Sequence, residues 1–476
     1  MHQTNSLLQG GKEMKKTAWL TIRVLVIFAL CLPTGVAKAD IAIQELPNVL
    51  DEFLIGGDLS VFARYDHRPY FTGATVGPVT DDNVWEEIFA RLNFTAKKKF
   101  KWAEMEAKFS PVLMSTIDQD VYGVYDDKAE VDFNQAYIKF GGLLNGKVSA
   151  TVGMQDVQLE KQFLIGLGRT QSSALWLLFN QSFPFAARVD ADLGAFNTTA
   201  FVARPGDYIA QTLEGEKDMY VSGIDLHYDF TEALYLFGGF YAKLDNTTPG
   251  KEGFLGQPLT QTDTYALDIG GDWTVGPVNL EAEFVYELGG VKLEDGQQYD
   301  RKAFGCYAAA QYTFPVKYGP YAKFHFIYWP GDDDPNDGDI DEYDPMFLGW
   351  WAWDRWFIGE QVGEVWGVKT NTRKLIAEIG FYPVETCQVQ LIYIKHQLDE
   401  KYYPLGALSF LDSETFVPVT DTDFADEFNV FMNWQVNDFL FVHSGVGLAS
   451  PNQAAKEVAG GNKTALFAQL WLMFAF

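Results

Sequence analysis

Alternation of apolar with polar or small side chains most constrains how this sequence can fold, because it recurs in segment after segment. A period of two indicates a β-strand with two chemically different faces. A tilted strand needs roughly 9–11 residues to cross a membrane, and segments near this length can be counted eighteen times. They cover residues 55–65, 84–97, 100–111, 131–141, 147–155, 183–193, 196–204, 218–230, 233–243, 262–274, 277–288, 301–314, 319–329, 372–382, 386–398, 424–436, 438–449 and 464–476.

Short and long connections alternate between these segments. Lys98 with Lys99, and residues 142–146, are short enough to close hairpins, whereas the intervening loops are longer, up to residues 330–371. Short turns on one rim and long extracellular loops on the other are typical of outer-membrane barrels. The sequence therefore predicts an all-β fold, a transmembrane antiparallel up-and-down β-barrel of about 18 strands, with 16 as the alternative.

The last segment, residues 464–476, places Leu466, Leu470 and Phe476 on one face. A charged side chain facing lipid costs about 2–4 kcal/mol at the bilayer midplane, so we expect apolar faces to contact lipid and polar faces to point inward. A terminal aromatic strand of this kind resembles the signal that the barrel assembly machinery recognises. Outer-membrane lipid and that machinery are therefore expected partners.

Residues 1–39 predict a secretory signal peptide. Basic residues up to Arg23 precede a short apolar run at 24–32, and residues 37–39 form a small-x-small cleavage site. We expect cleavage near Ala39 and insertion of residues 40–476 as a barrel in the outer membrane of a Gram-negative cell.

Charge and cysteines exclude several classes of partner. The net charge of −28 argues against nucleic acid. Beyond the signal, Cys306 and Cys387 fall on segments three apart, about 14 Å from each other, which is too far for a disulfide. Neither belongs to a CxxCH motif, so the chain itself should bind no c-type haem.

Nothing in the sequence indicates an enzyme. It contains no HExxH, GxSxG or Walker motif. His443 and Ser444 are neighbours on one segment and should point to opposite faces, which prevents a catalytic pair. We therefore expect no catalytic residues.

The polar faces predict the lining of a pore. The lumen of an ~18-stranded barrel is too wide for wall side chains to fill, so a closed apolar core is not expected. Charges of both signs would steer ions or polar solutes, or they would merely solvate and brace the wall. The predicted pore-lining residues are Arg91, Glu104, Glu106, Lys108, Arg188, Asp190, Asp192, Arg204, Lys323, His325, Lys374 and Glu378.

Two longer loops carry further candidates. Residues 156–182 are long enough to fold inward as a constriction loop that contains Arg169, Gln171 and Trp176, or they form an ordinary outer loop. Residues 330–371 are rich in carboxylates, which are the hard oxygen ligands that Ca²⁺ prefers. The candidate Ca²⁺ ligands are Asp332, Asp334, Asp337, Asp339 and Asp341, and a solvated acidic loop is the alternative. No other cofactor is expected.

Several short motifs resemble a known family. Residues 328–338, followed by 343–347, resemble the GDxxPxDG…FDPLF loop of the alginate-export family of outer-membrane porins. Residues 136–138 and 153–155 resemble its AYI…GRQ segment, although Met154 stands where that family usually has Arg. The resemblance implies an eighteen-stranded barrel. The strongly acidic composition does not favour alginate as the solute.

Three functions remain open at this point. The first is an outer-membrane porin that allows passive passage of ions or small polar solutes through a water-filled, mixed-charge lumen. The second is a barrel sheath around a partner such as a multihaem cytochrome or another periplasmic protein. The third is a specific saccharide or polyanion transporter, suggested by four tryptophans between positions 350 and 356.

Overall fold

A computed structural model describes residues 41–42, 50–71, 82–118, 129–166, 182–205, 219–246, 259–293, 296–334, 338–346, 362, 366, 370–404 and 416–476. Its core is a closed antiparallel barrel of 18 strands. The strands are β1 Glu52–His67, β2 Asp82–Lys99, β3 Glu104–Ile117, β4 Ala129–Gly142, β5 Val148–Gln155, β6 Phe183–Asp192, β7 Phe196–Arg204, β8 Met219–Thr231, β9 Leu234–Asp245, β10 Leu259–Val275, β11 Val278–Leu293, β12 Gln298–Thr313, β13 Tyr321–Trp329, β14 Thr372–Val384, β15 Cys387–Leu398, β16 Asp423–Asn437, β17 Leu440–Pro451 and β18 Ala465–Ala475.

Short elements complete the fold. Ile41–Ala42 pairs with β1, Asp339–Ile340 pairs in parallel with β12, and Tyr402–Pro404 pairs with Phe416–Pro418. The helix α1, Gln453–Ala459, connects β17 to β18. In the described part of the chain, no helix is long and apolar enough to span a membrane.

All eighteen predicted segments correspond to barrel strands, and the structure extends several of them. The predicted turn at Lys98 and Lys99 is wrong, because β2 continues through Lys99 and β3 begins only at Glu104. The turn instead occupies residues 100–103, where the Phe100 amide donates to the Ala103 carbonyl at 2.7 Å. The two lysines continue the ladder with β3, and Lys98 pairs with Asp51 at 3.2 Å.

Alternation along each strand separates a lipid-facing from an inner face. On β11, Leu280, Phe284 and Leu288 are exposed on the outside, whereas Glu281 and Glu283 are buried on the inside. Apolar side chains outside and polar ones inside are the arrangement that a transmembrane barrel requires.

The barrel closes where β18 meets β1. Val61 lies opposite Leu472 and Tyr65 opposite Ala468, so the last strand pairs with the first. Gly57 and Phe476 exchange two backbone hydrogen bonds of 2.9 Å. The terminal residue therefore takes part in the ladder that seals the wall.

Glycines on the inner face let aromatic rings lie flat against the wall. A Cβ added at Gly239 would lie 2.2 Å from the Tyr241 hydroxyl oxygen, and one at Gly305 would lie 2.6 Å from the Tyr343 ring. Tyr241 covers a glycine of its own strand, and Tyr343 covers one from a segment outside the strands; aromatic cover of glycines is a known device in curved sheets.

An apolar cluster fills part of the interior. Val157, Phe163 and Ile165 pack with Tyr343 and with inner-wall side chains of many strands. This part of the interior is thus apolar, whereas the prediction of a lumen without a closed apolar core stays a prediction. Segments between the strands fold inward and supply apolar side chains. These side chains pack against small and aromatic residues of the wall.

A second apolar cluster lies at the rim that carries the long loops. Trp366 is fully buried among Tyr70, Phe71, Tyr403 and Phe424. The Tyr403 hydroxyl donates to the Trp366 carbonyl at 2.6 Å. The buried face of α1 belongs to the same cluster, so the loops at this rim pack on one another.

The cysteines follow the prediction. Cys306 lies on β12 and Cys387 on β15, three strands apart, and both are free thiols.

Replacing Leu470 with Lys should destabilise the barrel by about 2–4 kcal/mol, because it places a charge in the lipid-facing wall. Leu470 is 44% exposed in the middle of β18. The free energy of unfolding in urea, measured in lipid vesicles, tests this. Val316→Lys is the control, since Val316 lies in the turn between β12 and β13, where the cost should be about 0–1 kcal/mol. Equal losses at the two positions would contradict the assignment of the lipid face.

Candidate functional site in the barrel interior

Residues 156–166, here called the first inward segment, leave the wall after β5. Asp156 accepts hydrogen bonds from Gln135 Nε2 at 2.7 Å and from the Ser182 hydroxyl. The segment then turns back on itself, with the Leu159 amide donating to the Ile165 carbonyl at 3.1 Å. These bonds fix where the segment leaves the wall and hold it as a compact loop.

The first inward segment crosses the interior of the barrel. Glu160 Oε1 lies 3.0 Å from His227 Nδ1 on β8. Lys161 Nζ lies 3.8 Å from Asp272 on β10 and 3.9 Å from Glu281 on β11. Phe163 stacks on Trp329 of β13, with ring centroids 5.8 Å apart. The described part of the predicted constriction loop therefore folds inward, from β5 across to β13.

Arg169, Gln171 and Trp176, the residues predicted to act in the constriction, lie outside the described residues. Their role stays a prediction.

Residues 338–346 form a second inward segment, which is fixed to the wall by Asp344. Lys243 of β9 makes an ion pair with the Asp344 carboxylate, and the Thr264 hydroxyl of β10 donates to it at 2.7 Å. The Asp344 amide donates to Glu287 of β11 at 2.8 Å. Arg301 of β12 donates to the Glu342 carbonyl at 2.5 Å. One short segment is thus attached to four adjacent strands.

Electrostatics favour the charged form of Asp344. Burial alone would raise the pKa of this carboxyl group. The positive charges of Lys243 and Arg301 and the hydrogen bonds from Lys243 and Thr264 outweigh burial and hold the pKa well below its usual range. Asp344 therefore stays ionised and keeps the segment in place.

Eleven of the twelve predicted pore-lining residues lie on inner faces, and several have partners. Arg91 Nε donates to Asp58 at 2.8 Å, and Lys323 Nζ pairs with Glu281 at 2.9 Å. Asp192 is exposed at the end of β6, beside the turn. The other inner-face residues are Glu104, Glu106, Lys108, Arg188, Asp190, His325, Lys374 and Glu378.

The inward assignment of Arg204 is wrong. Arg204 lies opposite Phe185, whose side chain is exposed on the outer face, and shares its face with the exposed Val202. It ends β7, so it stands where a long basic side chain can reach the membrane–water interface. The error arose from counting the alternation one residue out of phase.

Sequence reasoning missed part of the inner charge network. Arg64 of β1 donates to Asp66 at 2.9 Å and to Gln469 of β18 at 3.1 Å, and all three are buried. Asp58, Arg64 and Asp66 alternate on β1, and this period of two could have revealed them. The link to Gln469 could not have been found, because it depends on closure of the barrel.

The candidate calcium site is only partly described. Asp332 is buried, Asp334 is exposed, and Asp337 lies outside the described residues. Asp339 faces Lys302 at 3.5 Å. Within the described ranges, no three His, Cys, Asp or Glu side chains are grouped to hold a metal ion. Calcium binding therefore stays a prediction, as does any role of Trp350, Trp351, Trp353 and Trp356, which also lie outside the description.

Comparison with known proteins identifies the family. The model of the family described as "Alginate export" matches residues 86–469. The chain belongs to the alginate export family. It is an outer-membrane β-barrel of the channel or porin type. Comparison with curated proteins gave no match.

Solved structures with a similar fold are outer-membrane barrels. OccAB4 of Acinetobacter baumannii is 13% identical, with a TM-score of 0.54 over 90% of this chain and 99% of that chain. A BenF-like porin from Pseudomonas fluorescens Pf-5 is 8% identical, with a TM-score of 0.55 over 90% and 99%. OccAB2 of Acinetobacter baumannii is 9% identical, with a TM-score of 0.53 over 89% and 98%. At these identities the likeness concerns the fold alone.

Asp344→Asn should weaken attachment of the second inward segment and lower the free energy of unfolding. Removing one partner of a buried ion pair costs about 3–5 kcal/mol, because Lys243 keeps an uncompensated charge. The double variant Lys243→Met, Asp344→Asn should lose less free energy of unfolding than the sum of the losses in the two single variants. Urea unfolding of all four proteins measures this coupling, and strictly additive losses would contradict it.

The same carboxylate predicts a pH dependence of stability. Its pKa is lowered in the fold, so its contribution is fully present above the ordinary value of 3.8. The contribution declines as the pH falls from there towards the lowered pKa of the folded protein. The free energy of unfolding of Asp344→Asn should therefore fall less steeply than that of the wild type as the pH is lowered below 3.8. Urea unfolding curves measured at several pH values below 3.8 test this.

Proposed function

We propose that the protein forms a channel through which ions and small polar solutes cross the outer membrane passively. The observation that carries this proposal is the mixed-charge inner wall of a closed barrel. Arg91 and Arg188 lie on one side of the interior, and Glu283 and Lys374 lie elsewhere around it. An inner wall that carries both positive and negative charges favours hydrated, polar solutes over apolar ones.

The two inward segments support a channel for small solutes. A barrel of about this size has a lumen wider than its wall side chains can fill. The first segment reaches from β5 to β13, and the second spans β9 to β12. Together they narrow the interior, so the passage is restricted by the chain itself.

In this proposal the protein acts as a channel and catalyses no reaction. His443 is buried on the inner face, where its Nδ1 lies 2.7 Å from Asn433 Oδ1. Ser444 is the next residue on β17 and belongs to the opposite face. These two residues therefore do not form a nucleophile and base.

The interior disfavours both alternative functions. A sheath for a cytochrome needs free space across the barrel, and the packing of Phe163 against Trp329 occupies part of it. A polyanion would meet Asp225, Asp268 and Glu283, which lie on the inner faces of β8 to β11.

Purified protein in planar lipid bilayers should give stepwise increases in conductance. Phe163→Ala should raise the single-channel conductance, because it removes the ring that packs the first inward segment against Trp329 and Tyr343. The matched control is Phe109→Ala on the lipid face, which should leave the conductance unchanged. Folded wild-type protein that inserts but gives no steps would overturn the proposed function.

A further inference from the structure

We infer that the inner wall of β8 to β11, together with Glu160 of the first inward segment, binds permeant cations and makes the channel cation-selective. This inference rests on the proposed channel function and adds the class of ion that it passes. The site consists of Glu160, Asp225, Asp268 and Glu283, here called the carboxylate cluster.

Strand register brings the carboxylate cluster together. Asp225 of β8 and Asp268 of β10 both lie opposite Gly239 of β9, which has no side chain of its own and is covered by the Tyr241 ring. Glu283 of β11 lies opposite Gly270, two residues after Asp268 on the same face. Asp268 and Glu283 are therefore diagonal neighbours on adjacent strands, and Glu160 reaches the same face through its contact with His227, two residues after Asp225. Four acidic groups therefore lie on one part of the inner wall and the segment beside it.

Among the residues that the structure describes, the basic groups near the cluster pair with other carboxylates. Lys161 faces Asp272 and Glu281, and Lys323 pairs with Glu281. Arg188 is paired with Asp190 at 2.6 Å and acts on Asp225 only at longer range.

Within the described ranges, the other side chains that contact the carboxylate cluster directly are a hydroxyl group and an imidazole. The Tyr241 hydroxyl donates to Asp225 at 2.6 Å, and His227 contacts Glu160 while its other ring nitrogen lies 3.0 Å from Asp229. The hydroxyl group carries no charge, and the imidazole is shared with Asp229. The carboxylate cluster therefore keeps an excess of negative charge.

Two buried oxygen atoms point to a missing positive charge. Asp268 is 8% exposed and Glu283 is 3% exposed. Asp268 Oδ1 and Glu283 Oε2 are buried and have no hydrogen-bond partner within the described structure. Two ionised carboxylates on neighbouring strands in a poorly solvated place repel each other unless a proton or a cation compensates them. Burial, and next the charge of Asp225, raises the pKa of Glu160, in agreement with an uncompensated negative field.

The expected occupant is a mobile, partly hydrated cation. No three carboxylates of the described chain are arranged as one coordination shell, so tight binding of a divalent metal is not favoured. The Glu160 side chain is 14% exposed and the His227 side chain 24% exposed, which leaves a water-facing edge through which a cation can reach the cluster. Weak binding of this kind allows an ion to enter and to leave, as conduction requires.

The reversal potential of the purified full-length channel in a KCl gradient tests the inference. Wild type should prefer K⁺ over Cl⁻. Asp268→Asn combined with Glu283→Gln should lower that permeability ratio on the order of fivefold, the factor expected for one unit charge at close range in a water-like medium. Glu160→Gln lies off the barrel wall and should lower the ratio in the same direction, so it carries the test if the double variant fails to assemble.

Glu385→Gln is the control, because Glu385 is an exposed carboxylate in the turn between β14 and β15. It should retain the wild-type ratio. A conducting wild type without cation preference would overturn the inference and leave the channel function intact. So would variants with the wild-type ratio, which would indicate a shared proton only. A silent wild type would overturn the channel function itself.

Discussion

Backbone hydrogen bonding is the constraint on which the rest of this structure depends. Lipid offers no partner for an N–H or C=O group, so every such group in the membrane must be satisfied within the protein. The barrel meets this requirement only because β18 returns to β1. The two bonds between Gly57 and Phe476 end that seam. Once the ladder is closed, the pleat directs alternate side chains to lipid and to the interior. The residues at lipid-facing positions must then be apolar, and those at inner positions can be polar.

Closure creates a second requirement inside the barrel. The wall curves around a space that its own side chains cannot fill, and the chain occupies part of that space with two inward segments. Apolar residues such as Phe163 are held by rings on the opposite wall, whereas Asp344 is held by an ion pair. Gly239 and Gly305 make room for rings that would otherwise project into the lumen. The interior is therefore shaped by packing as well as by charge.

The strands could be predicted because their signal is local. Alternation, strand length and short turns each involve neighbours in sequence. These local signals were sufficient to predict the fold and the face of each strand that contacts lipid. Arg204 shows the limit of this method, since a shift of one residue at the end of a strand reverses the face. The inward direction of residues 156–166 could not be decided, because the contact of Phe163 with Trp329 joins positions far apart in sequence. The partners of inner charges depend on register across many strands for the same reason.

The distribution of charge matters more than its total. The net charge of −28 is a property of the whole chain, and much of it has no bearing on the interior. Arg64, Arg91 and Arg188 lie within 2.9 Å of carboxylates on their own or a neighbouring strand, so that part of the wall is locally neutralised. On β8 to β11, the nearby lysines instead face Asp272 and Glu281. In the described wall, the position of Asp225, Asp268 and Glu283 on one side of the lumen follows from strand register rather than from composition.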